Sequence, residues 1–266
     1  MPDLVQLSKL PVAITSTDPT LRLGVYGEGG VGKTSLALTF PKPLVIDTDS
    51  GLEGDAVVNV DGDEWSPDRW QDLNALYAFI KAKADTAQYK TIVIDSIDTL
   101  CRFLRHEAEN ISTTGRPANA SETQMITATE QDYGRVETAV DIFLTKLKVL
   151  SRSKGIHIVI TSAVREPNPE KGRLKRTFDV QPAVERNLLY WCNIYGEMEA
   201  VEVAKKVDGQ VVRDAKGEAV LEEGRILWTK VSDRSRKNKT RFSALRPGVS
   251  DPTFAKIMGL IKGDAK

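Results

Sequence analysis

Apolar and polar residues are grouped in blocks along this chain, and the blocks change character near residue 193. Leu21 to Tyr26 (LRLGVY) is a short apolar run ending on Gly27, the pattern of a buried strand. A glycine-rich loop follows, and then SLALTF, a short helix halted by Pro41 and Pro43. PLVID is a second strand. Ser66 and Pro67 carry N-cap and first-turn signals for a helix on which Trp70, Leu73, Tyr77 and Ile80 share one apolar face. YKTIVIDS is a third strand, followed by a helix from about Ile97 to Asn110. The polar stretch 112–131 reads as a mobile loop. A helix from about Asp132 to Ser153 puts Val136, Val140, Phe143, Leu144 and Leu147 on one side; Gly155 closes it, and GIHIVITS is a fourth strand. Strand–helix alternation of this kind predicts a three-layer α/β fold around a mostly parallel sheet.

Beyond the fourth strand the pattern shifts. REPNPEKGRLKR is polar and basic, and a short helix covers Pro182 to Leu189. From Ile194 to Phe242 the chain alternates as antiparallel strands do, with VDGQ and DAKGE as turns. The expected organisation is an N-terminal segment (1–20), an α/β core (21–193), and a β-rich antiparallel extension with a C-terminal helix (194–266). That extension either continues the core sheet or forms a small subdomain packed on it.

Composition narrows the class. Of 266 residues, 41% are apolar and 28% charged, as in an ordinary globular protein. No apolar run is long enough to span a bilayer, and MPDLVQLSKLP lacks the basic start and apolar core of a signal peptide, so a cytosolic or nucleoid location is expected. Formal net charge is zero, so any affinity for nucleic acid must come from local patches. Cys101 and Cys192 have no CxxC spacing and read as buried, reduced thiols. His106 and His157 are too few for a histidine-rich metal site and read as solvated or core residues.

The chemistry lies in GEGGVGKT, which matches G-x-x-x-x-G-K-[ST] between a strand and a helix. Backbone N–H groups of Gly27, Glu28, Gly29, Gly30, Val31 and Gly32, with Lys33, Thr34 and Ser35, would cradle the phosphates of ATP. Lys33 would reach the β- and γ-phosphates, and the Thr34 hydroxyl would ligate Mg²⁺. Asp95 ends a buried strand at the edge where ligands of open α/β sheets gather, and would hold the same Mg²⁺ through water. Ser96 and Asp98 are its neighbours, with secondary roles. In PLVIDTDSG, Asp47 finishes the apolar run as a support, while Asp49 stands nearer the γ-phosphate, where a water-orienting base belongs. A plain turn of Asp47, Asp49 and Ser50 is the other reading. Thr161 and Ser162 end the fourth strand, either as a γ-phosphate sensor or as simple strand termination.

This order of phosphate loop, acidic strand end, VIDS strand and basic loop resembles the RecA superfamily. PKPLVIDTDSGLE and TIVIDSIDTL are most similar to the phage RecA-like ATPases of the single-strand annealing group (Sak, fourth class), over roughly Leu21 to Phe254. The resemblance implies a RecA-like core that hydrolyses ATP with Mg²⁺, using Lys33, Asp49 and Asp95. It also implies binding of single-stranded DNA in recombination, annealing or repair, as a homo-oligomeric filament or ring. Phage recombination or single-strand-binding proteins would be further partners, in the bacterial host cytoplasm. RecA itself carries the longer glutamate where Asp49 stands. Arg165, Lys171, Arg173, Lys175 and Arg176 would form a DNA-binding loop, with Phe178 as its aromatic residue, or else a solvated basic loop. Lys230, Arg234 and Arg236, in TKVSDRSRKNKTR, would reach a neighbour's ATP or DNA, or form a surface turn. Two rival classes remain: a nucleotide switch or small-molecule phosphotransferase without DNA binding, and a clamp that binds ATP for assembly alone. KNKT is not the N-K-x-D motif of a GTPase.

Overall fold

The computed structural model of the chain describes residues 19–49, 51–52, 60–67, 72–84, 86, 88–113, 130–172, 174–207, 210–214, 216–230 and 235–264. Its frame is a ten-stranded sheet in the order β12-β10-β7-β1-β5-β4-β2-β3, with β6 paired to β5 and β11 to β7. The parallel part comprises β1 (Arg22–Gly27), β2 (Pro43–Asp47), β3 (Asp63–Trp65), β4 (Thr91–Asp95), β5 (His157–Arg165) and β7 (Ile194–Ala204). Helices α1 (Lys33–Leu38), α2 (Asp72–Ala84), α3 (Ile97–Thr113), α4 (Glu130–Lys154) and α5 (Pro182–Trp191) connect these strands.

Alternation along the strands divides the interior in two. Tyr26, Leu44, Ile46, Ile92, Ile94, Ile158 and Ile160 face one side, where α2, α3, α4 and α5 cover them. Leu23, Val25, Val45, Val93 and Val159 face the other, against α1 and α6 (Phe254–Lys262). A strand buried on both faces must be apolar throughout, which is why TIVID and HIVIT are continuous runs. Complete burial of each such side chain contributes roughly 1.5–3 kcal/mol. Two layers of helix on one sheet are thus dictated by the side-chain period of two.

The chain after residue 193 continues this sheet. β7 pairs parallel to β1, with Leu23 opposite Ile194. β10 (Leu221–Trp228) then pairs antiparallel to β7, and β12 (Gly248–Ser250) antiparallel to β10. β11 (Lys239–Thr240) and β6 (Thr177–Phe178) add short antiparallel pairings, and β8 (Lys206–Val207) forms a separate hairpin with β9 (Gln210–Val211). The DAKGE turn closes on Asp214, whose Oδ1 accepts the Lys216 and Glu218 N–H groups at 2.9 Å each.

Three local expectations shift. α2 begins at Asp72, so Ser66 and Pro67 lie in the segment that follows β3 rather than at the helix start; Trp70 is outside the described residues. β3, three charged or half-buried residues at the sheet edge, had no apolar run to announce it. α3 extends to Thr113, and most of the polar stretch 112–131 falls outside the described residues. Cys101 and Cys192 are buried and unpaired, and burial pushes both thiols up to about 12. No helix among the described residues is long and apolar enough to cross a membrane.

His157 opens β5 against the second core, with the rings of Phe40 and Phe254 edge-on at 6.0 and 4.9 Å. Its Nδ1 accepts the Leu21 N–H at 3.0 Å, so that nitrogen carries no proton. Burial pulls the imidazole from 6.5 down to about 4. The unfolded chain therefore takes up the proton first, and stability present above about 6.5 is lost as pH falls toward 4. Allowing for partial exposure, the loss is roughly 2 kcal/mol. Urea unfolding at pH 7.5 and 4.5 measures it. His157→Gln, whose amide oxygen takes the same N–H without a proton, is expected to lose about that much less between the two conditions.

Candidate nucleotide-binding site

The parallel strands β1, β2, β4 and β5 end on one edge of the sheet. Register there sets Asp47 opposite Asp95 and Gly27 opposite Ala163. The phosphate loop leaves β1 at this edge and enters α1. Its last glycine is required by the backbone, since Gly32 has φ +90°; the guanidinium of Arg225 stands beside it, 2.7 Å from where a Cβ would lie. By contrast, a Cβ at Gly29 or Gly30 meets nothing within 4 Å, so the loop is open at these positions.

Lys33 folds back over the loop, its Nζ donating to Gly27 O at 2.9 Å and Glu28 O at 2.6 Å. Burial pulls this ammonium down from its ordinary value, and the carboxylates of Asp95, Asp98 and Asp49 act against that pull. The next residue joins the loop to the third expected strand: Thr34 Oγ1 donates to Asp95 Oδ2 at 2.7 Å, across 61 positions of sequence. Thr161 Oγ1, from β5, donates to the other oxygen, Asp95 Oδ1, at 2.5 Å. Ser162 instead binds backbone, donating to Ala163 O and accepting the Asp179 N–H.

The two aspartates of the DTD do different things. Asp47 is buried, and its oxygens accept the Asp49 N–H at 2.9 Å and the Gly51 N–H at 3.0 Å. Its carboxylate is used to shape the loop that carries Asp49. Asp49 is exposed, and its Oδ2 accepts from Ser96 Oγ at 3.1 Å. Thr48, between them, ties β2 to β4: its N–H donates to Asp95 O at 2.9 Å and its Oγ1 accepts the Ser96 N–H at 3.0 Å. The Asp95–Ser96 peptide bond is cis.

Lys33, Thr34, Asp49 and Asp95 are thus drawn to one edge, with Ser35 on the adjoining face of α1. A hydroxyl and a carboxylate in contact are the hard oxygen donors that Mg²⁺ accepts alongside its waters. With the open loop and its lysine, they fit a Mg²⁺–nucleotide. A cleft of about 670 Å³ beside Trp65, Phe79 and Tyr89 lies at the β3 edge, away from this loop.

The basic residues are arranged otherwise than their sequence suggests. Arg165 is paired to Glu185 at 2.8 Å and donates to Val180 O. Arg176 reaches Glu197 at 2.6 Å, Glu166 at 2.9 Å and Glu28 of the phosphate loop at 3.1 Å. Arg236 lies against Glu199 at 3.0 Å and Glu197 at 3.4 Å, over the ring of Trp228. Lys230 donates to Ser243 O at 3.0 Å. Lys171 and Lys175 are exposed, and Arg173 and Arg234 lie outside the described residues. Phe178 is fully buried between Tyr26 and Tyr195, with ring centroids at 5.6 and 4.7 Å, so it cannot stack on a base. Its place in β6, paired to Val164, turns it into the core.

Thr48, Glu197 and Arg225 had no sequence signal. Thr48 lies inside the DTD, whereas Glu197 comes beside the loop through the pairing of β7 with β1, and Arg225 through that of β10 with β7.

Together, the sheet and this loop define a P-loop nucleotide-binding core. A family model described as an AAA domain (AAA_24) matches residues 20–238, which spans most of the chain and the whole of this edge. The chain belongs to that family, and ATP binding and hydrolysis are the activity such a domain supports. No curated protein matches the chain.

Glu197 makes a direct test of the charge network beside the loop. Its side chain is 1% exposed, and burial pushes its carboxyl up while Arg176 and Arg236 pull it down. Among the described residues Oε2 has no hydrogen-bond partner, so Arg176 supplies the main neutralisation through Oε1. Arg176→Ala is expected to destabilise the fold by roughly 3 kcal/mol. Urea midpoints check this, and adding Glu197→Gln is expected to recover most of the loss, because no buried charge then remains unpaired.

Proposed function

We propose that this chain hydrolyses ATP at the sheet edge and couples hydrolysis to binding of single-stranded DNA, in recombination, annealing or repair of the phage RecA-like kind. The observation that carries the ATPase reading is the Thr34–Asp95 hydrogen bond, which joins the phosphate loop to the carboxylate of β4. Mg²⁺ would be held there by Thr34 and, through water, by Asp95, and would supply positive charge to offset that of the phosphates. Lys33 exchanges the carbonyls of Gly27 and Glu28 for phosphate oxygens. Asp49, exposed and steadied by Ser96, accepts a proton from the attacking water and orients it. Thr161 keeps Asp95 in place from the far side.

Coupling to DNA is supported by the contact between Glu28 and Arg176. It links the second residue of the phosphate loop to the end of the basic segment that leaves β5. Lys171 and Lys175 are exposed basic residues of that segment, beside the exposed Glu166 and Glu170, and they carry the DNA-binding proposal. A homo-oligomeric filament or ring rests on the resemblance alone, because Lys230 and Arg236 are engaged within their own subunit. Internal pairing of Arg165, Arg176 and Arg236 favours a second reading, a nucleotide switch without DNA.

ATP turnover with and without single-stranded DNA separates the two. Lys33→Ala is expected to abolish turnover, and Asp49→Asn to lower kcat about 10²–10⁴-fold. DNA is expected to raise wild-type turnover, and Lys171→Ala with Lys175→Ala to weaken DNA binding while sparing nucleotide affinity. Turnover indifferent to DNA, with no retention on single strands at low salt, selects the switch.

A further inference from the structure

The nucleotide site lies where the parallel strands end; the edge where they begin carries a different chemistry. Backbone hydrogen bonds join the starts of β2, β4, β5, β1 and β7 there. The Lys90 N–H donates to Lys42 O at 3.1 Å, the His157 N–H to Lys90 O at 2.9 Å and the Ile158 N–H to Leu21 O at 2.8 Å. The Asn193 N–H then donates to Arg22 O at 2.9 Å, and the Arg241 N–H, just after β11, to Asn193 O at 2.8 Å. Arg22 and Gly27 are the two ends of β1, so this edge stands about 17 Å from the phosphate loop at about 3.3 Å per residue.

Positive charge concentrates where α5 reaches this edge. Three successive carbonyls of its last turn take three cationic donors: Leu189 O accepts from Lys239 Nζ at 2.6 Å, Tyr190 O from Arg241 Nη2 at 2.8 Å, and Trp191 O from Arg22 Nε at 2.9 Å. Arg152, in the last turn of α4, is near enough to act on the charge of Arg22. Capping does not account for this cluster, because a helix C-terminus carries only roughly half a negative charge. Among the described residues none of the four cations has an ion-pair partner, whereas Arg165, Arg176 and Arg236 at the other edge all do. The cluster also opposes itself: burial pulls the Arg22 guanidinium and the Lys239 ammonium down, and Arg241 pulls each further. Asp63 lies at the β3 end, so the positive stretch runs from Lys42 to Arg241.

Tyr190 stands in the middle of these charges. It is 69% exposed, and Lys239 Nζ lies 5.7 Å from its ring centroid. An open aromatic ring among unneutralised cations offers a stacking surface beside phosphate-binding groups, the pairing by which single strands are held without regard to sequence. We propose that this edge binds single-stranded nucleic acid, with a base on Tyr190 and the adjoining phosphates on Arg152, Lys239 and Arg241. The site is separate from Lys171 and Lys175 and faces away from the nucleotide. It rests on the DNA reading above for the kind of strand it takes.

Fluorescence anisotropy of a labelled oligo(dT), titrated with the full chain at several salt concentrations, tests this. Arg152→Ala with Arg241→Ala is expected to weaken binding and to lower the salt slope by about 1.4, at about 0.7 per cation. Tyr190→Ala is expected to weaken binding about five- to hundredfold at unchanged slope, and Tyr190→Phe to keep wild-type affinity. Neither change touches the phosphate loop, so ATP turnover without DNA is expected to stay as it is. In the wild-type chain an oligonucleotide carrying iododeoxyuridine is expected to photocrosslink to Tyr190. Absence of that crosslink, or unchanged affinity in either variant, overturns the assignment. It is overturned equally if poly-glutamate binds as tightly as the oligonucleotide and Tyr190→Ala affects neither, since the edge then takes acidic polypeptides. Lys171→Ala with Lys175→Ala keeps the two readings apart: if only that variant loses DNA, the edge assignment fails alone, and if the wild-type chain retains no single strand at low salt, both fail.

Discussion

The carboxylate of Asp95 is the point on which this edge of the molecule depends. Each oxygen accepts a hydroxyl from a different element, Thr34 at the start of α1 and Thr161 on β5, while its backbone carbonyl accepts the Thr48 N–H from β2. One side chain thereby sets the relative positions of the phosphate loop and the ends of three strands. Because β2, β4 and β5 are parallel and in register, their ends can be joined by single hydrogen bonds without any long loop. The cost of placing a carboxylate at a mostly buried strand end is offset by these donors.

The same logic assigns the DTD. A buried carboxylate needs donors, and Asp47 takes them from the backbone of the turn that follows. Asp49 is exposed, and its carboxylate accepts a hydrogen bond from Ser96. Two identical residues, separated by Thr48, thus differ in role because one is inside the sheet edge and the other outside it.

On the opposite flank the controlling group is Glu197. It is buried on β7 next to β1, and it gathers Arg176 and Arg236 from two segments rich in positive charge. Neutralising a buried carboxylate claims those arginines ahead of any external anion. This is why basic segments that read as solvent-facing in sequence are partly folded inward, leaving Lys171 and Lys175 exposed. The Glu28–Arg176 pair then places the phosphate loop and the segment after β5 in one charge network.

Sequence alone determined the strand–loop–helix unit, the order of the parallel strands' apolar runs and the helices between them. These depend on local periodicity, on glycines at fixed spacing and on strands apolar enough to be buried on both faces. It also brought Lys33, Thr34, Asp49 and Asp95 forward as one set, since the phosphate loop after the first strand and the ends of the second and third strands must lie on one edge of a parallel sheet. Tertiary structure decided the rest. The arginine partners follow from where α5 and β7 set buried glutamates, the burial of Phe178 from the pairing of β6 with β5, and the approach of Arg225 to Gly32 from the antiparallel pairing of β10 with β7. Such pairing joins residues far apart in the chain, with no spacing rule in the sequence to announce it, and charge satisfaction in the folded interior then selects which basic residues remain outside.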